Sequence, residues 1–324
     1  MNDEITDERF LELSCWLALP YLRGIGRRTI HSIAARNRAL DIPITRFFEM
    51  RKRELLARYD MPAGAELDLA NRKRALKLAN GLTSRALRAG VSVLTVADEA
   101  YPAGLLDSLG DDAPHILYLA GDATLLDKPG IAVVGTRNPS RKAKRAATAC
   151  AGEIAAEGFN IVSGYAEGID SLAHTAALKG GGTTTMVLPY GILRFRRKPG
   201  FPGRHVLEER ALILSESAPD SLLSRHTALT RNRTICALAG AVLVVETQVR
   251  GGAINAGRNA LRLRKPLFVG ASATTRSTPA GNRLLISEGG TPITVLGMKG
   301  EPDLSPLFAA ACSQGEQPQL KLDL

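Results

Sequence analysis

The chain has 324 residues, 45% of them hydrophobic and 23% charged, and a formal net charge of +10. This composition supplies a packed core and excludes a disordered chain, and the length suits two unequal domains, because single cores stop growing at about 250–300 residues. The positive balance attracts polyanions, among which nucleic acid is the commonest in a cell.

Residues 1–90 place apolar side chains at helical spacing in ELSCWLALPYL, TIHSIAAR and LDLANRKRALKLANGL, predicting a small all-helical domain. Within it, LPYLRGIGRRTIHSIAARN has two readings. Gly24 and Gly26 present backbone amides to a phosphate beside Arg23, Arg27 and Arg28, or they simply form a turn between packed helices. From Val91 the texture changes to short apolar runs: VSVLTV, HILYLAG, GIAVVG, FNIVSG, TTTMVLP, ALILSE, AVLVVE, KPLFVG and TPITVL. Helical stretches are predicted between them at 140–157, 169–179, 203–210, 230–238, 252–263 and 281–288. Strands alternating with helices predict an α/β domain over 91–296 with a doubly wound, mostly parallel sheet. The remainder, 297–324, has one weak helical signal around Leu307, and its Pro, Gly and Gln content predicts a mobile tail. The opening MNDEITDERF lacks a secretory signal and no apolar run approaches the ~20 residues of a membrane span. The four cysteines, Cys15, Cys150, Cys236 and Cys312, are scattered singly, with neither metal spacing nor a disulfide framework. A cytoplasmic protein with no metal and no cofactor is expected.

Several strand-to-helix corners carry chemistry. In GIAVVGTRNPSRKAKRAATA, Gly135 allows close backbone approach, Thr136 and Arg137 follow the strand, and Ser140 precedes a helix that opens with Arg141, Lys142, Lys144 and Arg145. A helix start with unpaired amides beside a guanidinium suits an anion, although the three-glycine dinucleotide pattern is missing; the plainer reading is a capped helix with a solvated basic face. In IVSGYAEGIDSLAHTAALKG, Ser163, Asp170 and His174 invite a hydrolase reading. The nucleophile-elbow pattern is absent, and Asp170 and His174 at i and i+4 suit a plain side-chain pair, with His174 read as a structural histidine. PYGILRFRRKPGFPGRH interleaves Arg194, Arg196, Arg197, Lys198 and Arg204 with Tyr190, Phe195 and Phe201; cations that track a backbone and rings that stack on bases make a single-strand signature, set against a basic surface loop with its phenylalanines tucked inward. HTALTRNRTICALAG places Arg231, Asn232 and Arg233 at the opening of a helix, where they clamp phosphate or form a structural ion pair. TQVRGGAINAG supplies a further glycine-rich turn with Arg250, Gly251, Gly252 and Asn255.

With these ordered motifs the chain resembles the DNA-processing protein A family (DprA, also called Smf). The resemblance runs from Tyr101 to Gly290 through YPAGLLDSLGDDAPHILYLAG, IAVVGTRNPS, GFNIVSGYAEGIDSLAHTAALKGGGTTTMVLPYG, ILSE, TRNRTICALAGAVLVVET, GGAINAG and AGNRLLISEGG. It implies a Rossmann-like domain that binds single-stranded DNA, forms a homodimer, and hands the strand to a RecA-type recombinase during transformation, without being an enzyme. The DNA-facing positions it implies are Gly135, Thr136, Arg137, Ser140, Ser163, Gly164, Arg231, Asn232 and Arg233. The basic loop adds Arg196, Arg197 and Lys198, and the last glycine turn adds Arg250 and Gly251. The helical domain is similar to a helix-hairpin-helix or to the SAM-like domain that precedes the family core.

The chain departs from the family pattern at Glu167, where Arg is usual, and at Arg250, Gly251 and Gly252 in place of Ser-Gly-Ser. It has LRFRRKPG where a Tyr-Pro pair is usual, and HTALT in place of a Phe-Pro element. The ~30 residues after the sheet are too few for the family's C-terminal winged helix. Two other classes remain open. One is a regulator or antitoxin in a defence or toxin-antitoxin locus, with a toxin partner. The other is a nucleotide-processing enzyme of the phosphoribohydrolase type, with Glu167, Asp170 or Glu246 supplying a carboxylate.

Overall fold

The computed structural model describes residues 5–272, 277–297 and 301–313. They form two compact units, one of Met1–Ala120 with Tyr190–Phe195 and Ser215–Leu222, the other of Gly121–Pro189, Arg196–Leu214 and Leu223–Leu324.

The first unit contains α1 (Asp7–Ala18), α2 (Arg27–Leu40), α3 (Thr45–Glu49), α4 (Lys52–Arg58) and α5 (Leu69–Arg88). They are followed by β1 (Ser92–Thr95), α6 (Ala103–Leu109) and β2 (Ile116–Gly121). Thr6 caps α1 by accepting from the Arg9 N–H, and Asp68 caps α5 by accepting from Asn71. Leu13, Trp16, Ile30, Ile33, Phe47 and Leu67 close its core. β1 and β2 pair antiparallel, with Leu94 opposite Leu117.

The second unit runs through β3 (Gly130–Val134), α7 (Arg141–Ala156), β4 (Asn160–Ser163), α8 (Ile169–Lys179), β5 (Thr184–Leu188), α9 (Arg204–Arg210) and β6 (Ala211–Ser215). It continues through α10 (Arg225–Ala237), β7 (Ala241–Val244), α11 (Gly252–Arg262), β8 (Leu267–Ala271), α12 (Ala280–Ser287), β9 (Thr291–Thr294) and α13 (Ser305–Ser313). The strand order is β6-β5-β4-β3-β7-β8-β9. The pairs β3–β4, β4–β5, β3–β7, β7–β8 and β8–β9 are all parallel. Strands β3 to β7 are buried on both faces, as an inner parallel sheet flanked by helices requires. From β3 the chain winds outward through β4, β5 and β6, then returns to lay β7 on the other side of β3. The strand order therefore reverses between β3 and β7, and a crevice opens at the carboxyl ends of the strands at such a reversal.

Small side chains let α7 lie close to α8: Ala143, Ala146, Ala147, Cys150 and Ala151 share one core cluster with Ala173 and Ala177. Two readings of the sequence are corrected here. The tail was expected to be mobile, yet Leu304, Leu307 and Ala311 are buried in that same cluster, and the Phe308 ring stacks on Phe159 with centroids 5.6 Å apart. The expectation for 298–300 and 314–324 lies outside the described residues. The helix expected over 230–238 starts earlier, at Arg225, because Ser224 and Thr227 cap each other's backbone N–H groups. Among the described residues no helix is long and apolar enough to cross a membrane.

Candidate functional site

Three strand exits of the second unit meet at the reversal. At the end of β3, a Cβ on Gly135 would come within 2.4 Å of Ile169 Cγ1, so only glycine lets the strand pass the start of α8. The Thr136 N–H donates to the Glu246 carbonyl at 2.8 Å, and the Thr136 carbonyl accepts from the Ile169 N–H at 3.2 Å. Gly168 has φ +80°, and a Cβ there would strike the Thr136 carbonyl oxygen at 2.4 Å. Arg137 and Asn138 extend from this braced turn into solvent. Ser140 then caps α7, its Oγ accepting from the Ala143 N–H at 3.1 Å. The Ser140 N–H and Oγ in turn donate to the two carboxylate oxygens of Glu246, at 3.0 and 2.6 Å.

At the end of β4, the Ser163 hydroxyl is fully buried and donates to the Val133 carbonyl at 2.6 Å. Asp170, in the first turn of α8, accepts from the backbone N–H groups of Gly135, Gly164 and Ala166 and faces Arg231. Burial raises its pKa above the usual carboxylate range, against the pull of Arg231 and of those amides. Arg231 is 4% exposed, and its Nη1 donates to the Val187 carbonyl at 2.9 Å. Gly164 makes room for it, because a Cβ there would lie 1.5 Å from that same Nη1. His174 has no exposure. Its Nδ1 meets Thr184 Oγ1 at 2.6 Å, its Nε2 accepts from the Tyr165 N–H at 3.3 Å, and burial lowers its pKa to about 3.

Beyond β7 the chain turns through Thr247, Gln248, Arg250 and Gly251, the last at φ +124° as the cap of α11. The Asn232 amide donates to the Gly252 carbonyl at 3.0 Å, tying α10 to this turn. One face of α10, through Arg225, Ala228, Leu229 and Asn232, completes the wall. Together these turns enclose a cavity of about 680 Å³. Arg137, Arg225 and Arg250 reach it from exposed positions, and buried Arg231 lies in its floor. Among the described residues, Asp170 is the one acidic residue in the wall, and no aromatic residue lines it.

Residues 92–298 match the family described as DNA recombination-mediator protein A. The chain belongs to that family. The DNA processing protein DprA of Streptococcus pneumoniae is 31% identical over 200 residues, 62% of this chain and 70% of that protein. The Bacillus subtilis DprA is 29% identical over 205 residues, 63% and 68% of the two chains. Among solved structures, DprA from S. pneumoniae superposes with a TM-score of 0.69 at 25% identity, covering 90% of this chain and 95% of that one. DprA from Helicobacter pylori, a structure describing that protein's single-stranded DNA binding mode, gives 0.52 at 31% identity over 62% and 90%. The architecture is accordingly the Rossmann-like one of this family.

Of the residues singled out in the sequence, Gly135, Thr136, Arg137, Arg231, Asn232, Arg250 and Gly251 line the cavity of this family member. Ser140, Ser163, Gly164, Arg196, Arg197, Lys198 and Arg233 are not among its lining residues. Arg231, Asn232 and Arg233 stand inside α10 and not at its opening, so they share no helix-terminal amides with a ligand. Arg233 lies about 200° round the helix from Arg231. The start of α7 is likewise no vacant anion site, since the Glu246 carboxylate is seated there.

Part of the basic loop folds inward, while Arg194, Arg196 and Arg197 stay exposed. Lys198 Nζ donates to the Tyr165 carbonyl at 2.9 Å and to Ser171 Oγ at 2.6 Å, and pairs with Glu167 at 3.0 Å. Arg197 donates to the Phe201 carbonyl, and Phe201 packs edge-on against Tyr165. Glu167, one departure from the family pattern, thus has its own cation. In the first unit Arg27 is held by the Asp112 carbonyl and Glu216, and Arg23 pairs with Glu66, which favours a packed helical turn over a phosphate-binding hairpin. Arg225, Asn138 and Gln248 were missed. Arg225 becomes legible only once the Ser224 cap is seen to start the helix.

Proposed function

We propose that this chain binds single-stranded DNA in the cavity between the β3 and β7 exits, as a DprA-type protein that covers exposed or incoming strands. The observation that carries this reading is the charge arrangement of the wall. Three exposed arginines ring a concavity of about 680 Å³, while the wall's one carboxylate is buried against backbone amides and Arg231. Because no ring among the described residues lines the cavity, phosphate contacts and not base stacking supply the affinity, so binding tolerates sequence and depends strongly on salt. A non-enzymatic role fits the same geometry. Ser163, His174, Asp170 and Glu246 each spend their polar atoms on internal partners. Release of free base from nucleoside monophosphates would reverse that point. Family membership extends the proposal to dimer formation and to delivery of the strand to a RecA-type recombinase in the cytoplasm.

The test is a salt titration of oligothymidylate binding by the parent and by the double variant Arg137→Gln, Arg250→Gln. Each phosphate contact on a single strand contributes about 0.7 to the slope of log K against log salt. Loss of two contacts therefore lowers the slope by about 1.4 and the affinity at 0.1 M salt about 25-fold. An unchanged slope in the folded variant removes the cavity from DNA binding.

A further inference from the structure

The exposed face of α7 is a second cationic surface that the cavity does not absorb. Arg141, Lys144, Arg145 and Thr148 recur at i, i+3, i+4 and i+7, all exposed, with Lys142 beside them. The opposite face is the alanine-rich stripe buried against the core. Lys142 donates to Ser272 Oγ at 3.0 Å, and among the described residues none of these four cations forms an ion pair. Their placement runs against local stability. Four positive charges in the first turns of a helix oppose its macrodipole; α7 carries no acidic residue of its own there, and the Glu246 carboxylate at its N-terminus is engaged by Ser140. Lys144, Arg145 and Thr148 also rim an open depression of about 430 Å³ floored by Ala149 and Leu296, so cations flank an apolar surface. The chain itself joins this surface to the cavity: Arg137 and Asn138 line the cavity, and three residues later α7 begins.

Resting on the reading of the cavity as a single-strand site, we propose that α7 is the outer part of the same track. The strand leaves the cavity past Arg137, and its next phosphates lie on Arg141, Lys144 and Arg145, with sugar and base edges over Ala149 and Leu296. The occupant is the flanking part of the bound single strand. The surface has the backbone-following cations of sequence-tolerant single-strand grooves, whose footprints span about 4–16 nucleotides.

The experiment compares two oligothymidylates, one of about six nucleotides that fills the cavity alone and one of about twenty that also covers α7. The variant Arg141→Gln, Lys144→Gln, Arg145→Gln changes only exposed side chains. On the long strand its slope of log K against log salt should fall by about 2, and its affinity at 0.1 M salt about a hundredfold; on the short strand both should equal the parent's. An unchanged long-strand slope overturns the proposal, and so does an equal loss on both lengths, which would place these cations within the cavity site. The variant Arg137→Gln, Arg250→Gln separates the two readings. If it leaves short-strand binding intact the cavity assignment fails, whereas a long-strand loss confined to the α7 variant still assigns the outer track to α7.

Discussion

Gly164 and Arg231 give the sharpest test of how the cavity floor is built. Gly164 does not lie in the left-handed region, so alanine can take its backbone conformation without strain. The whole effect of Gly164→Ala falls on its neighbour, because the new methyl would sit 1.5 Å from Arg231 Nη1, the atom that donates to Val187. The guanidinium must move, breaking its hydrogen bond to the Val187 carbonyl and drawing its charge away from Asp170. A lost charge-assisted hydrogen bond costs about 1.5–3 kcal/mol. Breaking a buried ion pair outright costs about 3–5 kcal/mol. Displacement lies between these, and alanine returns about 0.4–1 kcal/mol by stiffening the unfolded chain. We expect a net loss of about 2–4 kcal/mol, a fall of about 4–16 °C in the melting temperature of a unit of this size. Urea unfolding and calorimetry measure it, and the double variant with Arg231→Ala isolates the cause. Once the guanidinium is gone, Gly164→Ala should no longer cost stability and should return only about 0.4–1 kcal/mol through chain stiffening. If Gly164→Ala is neutral alone, or costs the same in both backgrounds, the glycine is not there to house Arg231.

Three further outcomes are expected from the packing of this unit. Asp170 holds its proton more tightly folded than unfolded, since burial raises its pKa; the sheet unit should therefore lose stability as pH rises from the ordinary carboxylate range through that raised value. Over the same interval the cavity floor gains negative charge, so oligonucleotide affinity should fall with rising pH in the parent and stay flat in Asp170→Asn; matching profiles would exclude this carboxyl as the source. Leu307→Ala should cost about 2–5 kcal/mol in urea unfolding, because Leu307 is fully buried in the core shared with α7 and α8, and a cost under about 0.5 kcal/mol would mean that α13 does not hold that core together.

The inner parallel strands were readable because they are short apolar runs between Gly and Pro, and all nine strands among the described residues lie within the runs read from sequence or one residue beyond them. α8 coincides with its expected span of 169–179 because a glycine bounds it at either end. What escaped were features decided by partners distant in the chain. The amides before α7 looked vacant because their occupant, Glu246, lies 106 residues away. Lys198 looked like a free cation until Tyr165, Glu167 and Ser171 closed round it. The start of α10 was hidden by a polar first turn with no apolar period. In α13 the spacing of Leu304, Leu307, Phe308 and Ala311 was present in the sequence, but composition outweighed it.

Glu246 joins the cavity's two rims. Its main-chain carbonyl takes the Thr136 N–H while its carboxylate holds Ser140, so the turn bearing Arg137 and the turn leading to Arg250 are fastened through one residue. The spacing between these guanidinium-bearing turns is thereby set before any ligand arrives. A strand that fits meets a receptor already shaped for it, with little ordering left to do on contact, and capture can proceed at the pace of encounter.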